Sequence, residues 1–96
     1  SGVITTPQVN AQCAPLATRR QALVVKVASY EAMRTRVQGR VDYYNQLLLG
    51  QVNERQAMER TRDGYVRQVA SIDAAINSMR GRVQGIDTQR QSLSCP

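Results

Sequence analysis

The chain has 96 residues, a formal net charge of +6 and 42% hydrophobic side chains, which suits one small domain with little interior for a buried reaction centre. It contains no His, so the usual neutral-pH general base and the commonest metal ligand are missing. Two cysteines are too few for a four-thiolate zinc site. We therefore expect a non-enzymatic protein that holds no metal and no cofactor. The longest apolar run, Leu47 to Leu49, is far too short to cross a bilayer, so we also expect no membrane span.

The first 15 residues differ in composition from the rest of the chain. They carry no charge and include Pro7 and Pro15 together with several Thr and Asn residues. Proline and these short polar side chains favour extended or turn backbone over helix. The sequence predicts a non-helical N-terminal arm over residues 1–15.

From Leu16 onward the composition changes to Arg, Gln, Ala, Val and Glu, with no proline until the last residue, which favours helix. Apolar side chains then recur every seven residues in two interleaved rows, the pattern of a coiled-coil seam. Arg20 and Arg34 interrupt the pattern in its first half, and Arg62 and Arg90 interrupt it in its second half. The rows consist of Leu16, Leu23, Val27, Tyr30, Val37, Val41, Tyr44 and Leu48, and then of Met58, Tyr65, Val69, Ile72, Ile76, Met79, Val83, Ile86 and Leu93.

The two cysteines decide between one continuous rod and a hairpin. Cys13 precedes the first helix, Cys95 follows the second, and residue 54 lies midway between them. An antiparallel hairpin with a turn near residues 50–56, and with Asn53 capping the second helix, brings them together. The sequence thus predicts an all-α fold, a long antiparallel two-helix coiled-coil hairpin over residues 16–93 with a tail over 94–96. It also predicts a Cys13–Cys95 disulfide, which indicates a periplasmic or extracellular location. The helix register stays open by a few residues.

Neither the carboxylates nor the glycines form a recognisable reaction site. The acidic residues lie among arginines at helical spacings, the pattern of solvated faces with local ion pairs. Gly81 and Gly85 have no preceding strand and no following Lys-Thr, so we attribute them to close helix packing and not to a phosphate loop. The 13 basic residues are spread along residues 19–90 and do not form one stripe. They leave Arg-mediated binding of nucleic acid or another polyanion as an alternative function.

Apolar residues outside the seam exceed what a two-helix hairpin can bury. A second surface is needed to cover them, and two hairpins that pair as a four-helix bundle would provide it. We therefore expect a homo-oligomer. The predicted oligomer face consists of Val24, Ala28, Ala32, Ala70 and Ala74.

A second apolar cluster lies at the predicted turn. Leu47, Leu49 and Val52 either cap the turn locally or dock a partner protein. Together with Asn53 and Arg55 they form the candidate partner-binding tip.

The stretch from residue 44 to residue 54 resembles the hairpin tip of the periplasmic adaptor proteins, or membrane fusion proteins, of efflux pumps and type I secretion systems. Leu47, Gly50 and Val52 fit the family's tip motif, and Asn53 stands where that family usually has Ser. The resemblance implies a helical hairpin that holds helical protein partners in a transport or secretion complex. We therefore expect a protein–protein assembly module outside the cytoplasm. A helical sensor or inhibitor domain is a further alternative.

Overall fold

The computed structural model describes residues 6–96, with side chains from residue 11 onward. Two helices, α1 (Thr6–Leu48) and α2 (Arg55–Ser92), account for its regular structure, and residues 6–96 contain no strand. Cross-helix pairs such as Arg20 with Asp87 and Arg34 with Asp73 show that the helices pack in opposite directions. The predicted all-α hairpin is confirmed. Pairing into a four-helix bundle stays a prediction.

The chain divides into two compact units. Among the described residues, the terminal unit comprises residues 6–27 and 77–96, and the turn unit comprises residues 28–76. Each unit contributes five of the ten buried apolar residues. All of these except Cys13 belong to the predicted heptad rows, which confirms the seam. They are Cys13, Leu16, Leu23, Met79 and Ile86 in the terminal unit and Val37, Val41, Val69, Ile72 and Ile76 in the turn unit.

The N-terminal arm is where the sequence interpretation is wrong. Residues 6–15, predicted to be non-helical, form the beginning of α1, while residues 1–5 lie outside the described residues. Pro7 falls in the first helical turn, where its missing N–H would have no helical partner in any case. Pro15 lies inside the helix and removes one backbone hydrogen bond. Burial of Cys13 and Leu16 offsets that loss, so tertiary packing overrides the local preference.

The C-terminal end of α2 positions the second cysteine. The Ser94 N–H donates to the Gln91 carbonyl over 3.0 Å, and the Cys95 N–H donates to the Arg90 carbonyl over 2.9 Å. This bond pair, with Ser94 in the left-handed region at φ 55°, is the Schellman ending of a helix. It turns the chain back so that Cys95 bonds to Cys13, with their Cα atoms 5.6 Å apart. The predicted disulfide is present.

Two arginines that interrupt the seam make cross-helix ion pairs. The Arg20 Nε lies 2.7 Å from a carboxylate oxygen of Asp87, and the Arg34 Nε lies 2.6 Å from one of Asp73. The hydrogen bond to Asp87, followed by its charge, raises the pKa of Arg20, and Asp73 raises the pKa of Arg34 in the same way. Both pairs remain partly exposed, and they settle the helix register that the sequence left open.

The glycines of α2 do not serve close helix packing, which corrects that expectation. A Cβ atom added at Gly81 or at Gly85 would meet nothing within 4 Å, and the same holds for Gly39 in α1. Each of these positions faces open space in the described chain. Their effect on the isolated hairpin is therefore a cost in helix propensity with no packing gain.

Candidate docking tip and side face

The turn between the helices is closed by a side chain from α2. The Arg55 guanidinium donates one hydrogen bond to the Leu48 carbonyl over 3.0 Å and a second to the Gly50 carbonyl. Carbonyls at the end of a helix lack partners within the helix, and a cation there also favours the negative end of the helix dipole. Arg55 was predicted to contact a partner. In the structure its guanidinium provides hydrogen bonds to two carbonyls of the turn.

The start of α2 differs in one residue from the prediction. The first helical bond runs from the Met58 N–H to the Glu54 carbonyl over 3.1 Å, so Glu54 and not Asn53 occupies the capping position. Glu54 adopts a φ of 57°, in the left-handed region that L residues enter at a cost. Asn53 is exposed in the loop between the helices.

The tip residues differ in how much they contribute to the turn. Leu49 is 81% exposed, the largest value among the exposed large hydrophobic residues of the described chain. Leu47 and Val52 are half-buried. Of the two readings that the sequence left open, local capping fits Leu47 and Val52. Leu49 buries too little surface to cap the turn.

An aromatic cluster that the sequence did not single out as a site lies in the turn unit. The rings of Tyr44 and Tyr65, both members of the heptad rows, stack across the seam with their centres 6.0 Å apart. Tyr43 contacts Tyr44 edge to face at 5.4 Å, and the Arg40 guanidinium lies 5.4 Å from the centre of the Tyr65 ring. A cation over an aromatic ring is attracted by its quadrupole. Arg40 is separated from Tyr65 by the turn, so no local sequence signal indicated this contact.

The predicted oligomer face is exposed in both units. Val24, in the terminal unit, is 38% exposed and borders a shallow groove of about 210 Å³ together with Val27, Arg80 and Val83. The other four members of the face belong to the turn unit and are also exposed, namely Ala28, Ala32, Ala70 and Ala74. No side chain in the described part of the chain is fully buried. The seam of the hairpin is therefore covered only in part.

The described residues offer no group of three or more His, Cys, Asp or Glu side chains that could hold a metal ion. Neither helix, over the residues that the structure describes, has an apolar stretch long enough to cross a membrane. Comparison with protein-family models, curated proteins and solved structures gives no match.

Proposed function

We propose that this chain is a non-enzymatic assembly module that binds a protein partner through the tip of its hairpin. The observation that carries the proposal is Leu49, a large apolar side chain held in solvent at 81% exposure. Its neighbours are engaged otherwise, since Leu47 and Val52 are half-buried and Arg55 bonds to two carbonyls of the turn. An ordered turn that keeps one apolar side chain exposed is suited to insert it into a pocket on another protein.

The disulfide and the resemblance of the tip support a proposal for the setting of the module. A disulfide between Cys13 and Cys95 supports a periplasmic or extracellular location. The likeness of the tip to adaptor hairpins supports a role in a transport or secretion complex with helical partners. The fold is compatible with that role, because an antiparallel hairpin presents its turn at one end of both helices.

We further propose that the module self-associates through its side face. The exposed residues of this face are Val24, Ala28, Ala32, Ala70 and Ala74, and no side chain in the described part of the chain is fully buried. Packing against a second copy would cover these exposed residues and bury the seam more completely. Analytical ultracentrifugation at micromolar concentration is expected to show a dimer or larger oligomer, which the Ala28→Glu/Ala74→Glu variant disrupts. A monomer across that range would refute self-association without affecting the tip.

The experiment for the tip compares Leu49→Ser with Val66→Ser, an exposed valine at 45% in the turn unit. Each purified protein is used to capture its partner from an envelope extract of the cells that produce it. Leu49→Ser is expected to lose a specific partner that the wild type and Val66→Ser both retain. Its melting temperature should match the wild type, because Leu49 buries little surface on folding. Unchanged capture by Leu49→Ser would overturn the proposal.

A further inference from the structure

Most of the net positive charge of the hairpin belongs to one of its two units. The terminal unit contains six basic residues and a single carboxylate, Asp87, whereas the turn unit contains seven basic and six acidic residues. Five of the six net positive charges therefore belong to the terminal unit. Along the sequence this asymmetry is hidden, because the unit is assembled from the two ends of the chain.

Within the terminal unit the only carboxylate lies on one edge of the hairpin. Arg20 pairs there with Asp87. Val24 and Arg80 line one groove together with the seam valines Val27 and Val83. Val24 and Arg80 each directly follow a buried seam residue, Leu23 and Met79. In an antiparallel pair, the positions that follow one seam row on both helices share an edge. The positions that precede the other row share the opposite edge.

The opposite edge carries three cations, Arg19, Lys26 and Arg82, which we call the basic edge. Lys26 and Arg82 each directly precede a seam valine, Val27 and Val83. The Arg20–Asp87 ion pair shows which residues of α1 and α2 lie at the same height along the hairpin. Lys26 is six residues further along α1 than Arg20, and Arg82 is five residues back along α2 from Asp87, so the antiparallel register puts them at nearly the same level of the hairpin. Arg19 lies two helical turns from Lys26 on the same helix, a distance of about 10 Å.

The three cations of the basic edge are available to an external anion. Arg19, Lys26 and Arg82 are all exposed, and within the described chain no carboxylate forms an ion pair with them. Placing three like charges along one edge of a small unit raises the local concentration of anions. The repulsion among them is relieved when a negatively charged surface lies against the edge.

Two observations indicate what kind of anion fits. The terminal unit contains no aromatic residue, since all four tyrosines lie in the turn unit, so it offers no platform on which bases could stack. Val25, which directly precedes Lys26, is 58% exposed. A cationic surface beside an exposed aliphatic side chain is a combination found in segments that lie on anionic membranes.

From this charge distribution we propose that the basic edge of the terminal unit binds the surface of an anionic phospholipid membrane. Arg19, Lys26 and Arg82 contact the headgroup phosphates, and Val25 lies at the boundary of the headgroups. Binding is peripheral and governed by charge, so it weakens as salt screens the attraction. The basic edge and the tip share no residue and belong to different units.

The test measures cosedimentation of the full chain with vesicles. One set contains about 30% phosphatidylglycerol in phosphatidylcholine, the other phosphatidylcholine alone, both at about 50 mM salt. The variant Arg19→Gln/Lys26→Gln/Arg82→Gln removes the basic edge. The matched control, Arg36→Gln/Arg60→Gln/Arg67→Gln, removes three exposed arginines of the turn unit and thus the same net charge. Circular dichroism checks that each variant is folded.

The wild type is expected to bind only the anionic vesicles and to lose that binding at about 300 mM salt. The basic-edge variant should lose affinity on the order of 100-fold, at about fivefold for each cation, while the control loses little. Arg19→Lys/Arg82→Lys should bind like the wild type because it keeps the charge. Leu49→Ser should also bind normally, which separates this proposal from the proposed function of the tip.

Three results would overturn the proposal. The first is no binding of the wild type to anionic vesicles at low salt. The second is equal loss in the basic-edge variant and in the control, which would assign binding to total charge and not to this edge. The third is tighter binding to a short duplex DNA than to the vesicles at equal salt, which would make the edge a nucleic-acid surface.

Discussion

The terminal unit and the turn unit share one internal construction and differ on the surface. Each has five buried apolar residues and one Arg–Asp pair between the helices. The terminal unit is closed by a disulfide, has no aromatic residue and carries most of the net charge. The turn unit is closed by Arg55, holds every tyrosine and has nearly balanced charge. The comparison shows that the heptad core is common to both units, and that the disulfide, the Arg55 hydrogen bonds and the excess of positive charge lie outside it.

The largest expected effect concerns the covalent closure of the terminal unit. Cys13→Ser removes a disulfide whose cysteines are 82 residues apart in the sequence. Chain-entropy models assign such a bond about 4 to 5 kcal/mol of stability. The melting temperature should fall by roughly 15 °C or more. Hydrogen exchange should show that amides of the terminal unit lose more protection than those of the turn unit. Equal loss in both units would mean that they unfold as one.

Truncating equivalent core residues in the two units should lower the free energy of unfolding by similar amounts. Ile86 in the terminal unit is 4% exposed and Ile72 in the turn unit is 8% exposed. Changing either to Ala should destabilise the fold by about 2 to 4 kcal/mol, measured by urea unfolding. Val66→Ala, at an exposed position, is the control and should change stability by less than about 0.5 kcal/mol. A twofold difference between Ile86→Ala and Ile72→Ala would show that one unit dominates the stability of the hairpin.

Glycines that face open space should reveal a smaller effect of opposite sign. Gly39→Ala in the turn unit and Gly81→Ala in the terminal unit should each stabilise the fold by about 1 kcal/mol, because alanine favours helix and its methyl group meets no neighbour. Thermal melts of the two variants test this directly. Destabilisation by either change would indicate a contact with another molecule at that helix face.

The two residues with positive φ should give the smallest effect. Glu54 precedes α2 in the turn unit, and Ser94 follows it in the terminal unit. Replacing either with Gly should raise stability by about 0.5 kcal/mol, since the lower strain of glycine outweighs its greater unfolded-state freedom. Alanine at the same positions is the control and should bring no such gain. A gain with Ala as large as with Gly would rule out relief of backbone strain as the cause.

Some features of this molecule can be predicted from the sequence because their residues recur at regular spacing or lie symmetrically about the turn. The heptad rows mark Leu23, Val37, Ile72 and Ile86 as core residues, and the structure buries all four. The placement of Cys13 and Cys95 about the turn indicates the hairpin and the disulfide. The Tyr44–Tyr65 contact follows from the same antiparallel pairing.

Other features depend on contacts between distant residues, and local patterns do not reveal them. Pro15 locally disfavours helix. It nevertheless lies inside α1, because the neighbouring side chains of Cys13 and Leu16 are buried. In the sequence Arg20 only interrupts the seam, and its ion pair with Asp87 is visible only in the structure. The role of Arg55 depends on the position of the last carbonyls of α1, to which its guanidinium donates. The charge of the terminal unit becomes visible only when the two ends of the chain are brought together.

Site-specific photocrosslinking measures whether Leu49 contacts a protein partner. A photoreactive phenylalanine analogue is placed at position 49 or, as an exposed control in the turn unit, at position 66. Both proteins are irradiated in the cells that produce the natural chain, and the products are identified by mass spectrometry. We expect one discrete protein adduct from position 49 that position 66 does not give. The same adducts from both positions, or none from position 49, would mean that Leu49 does not dock a partner.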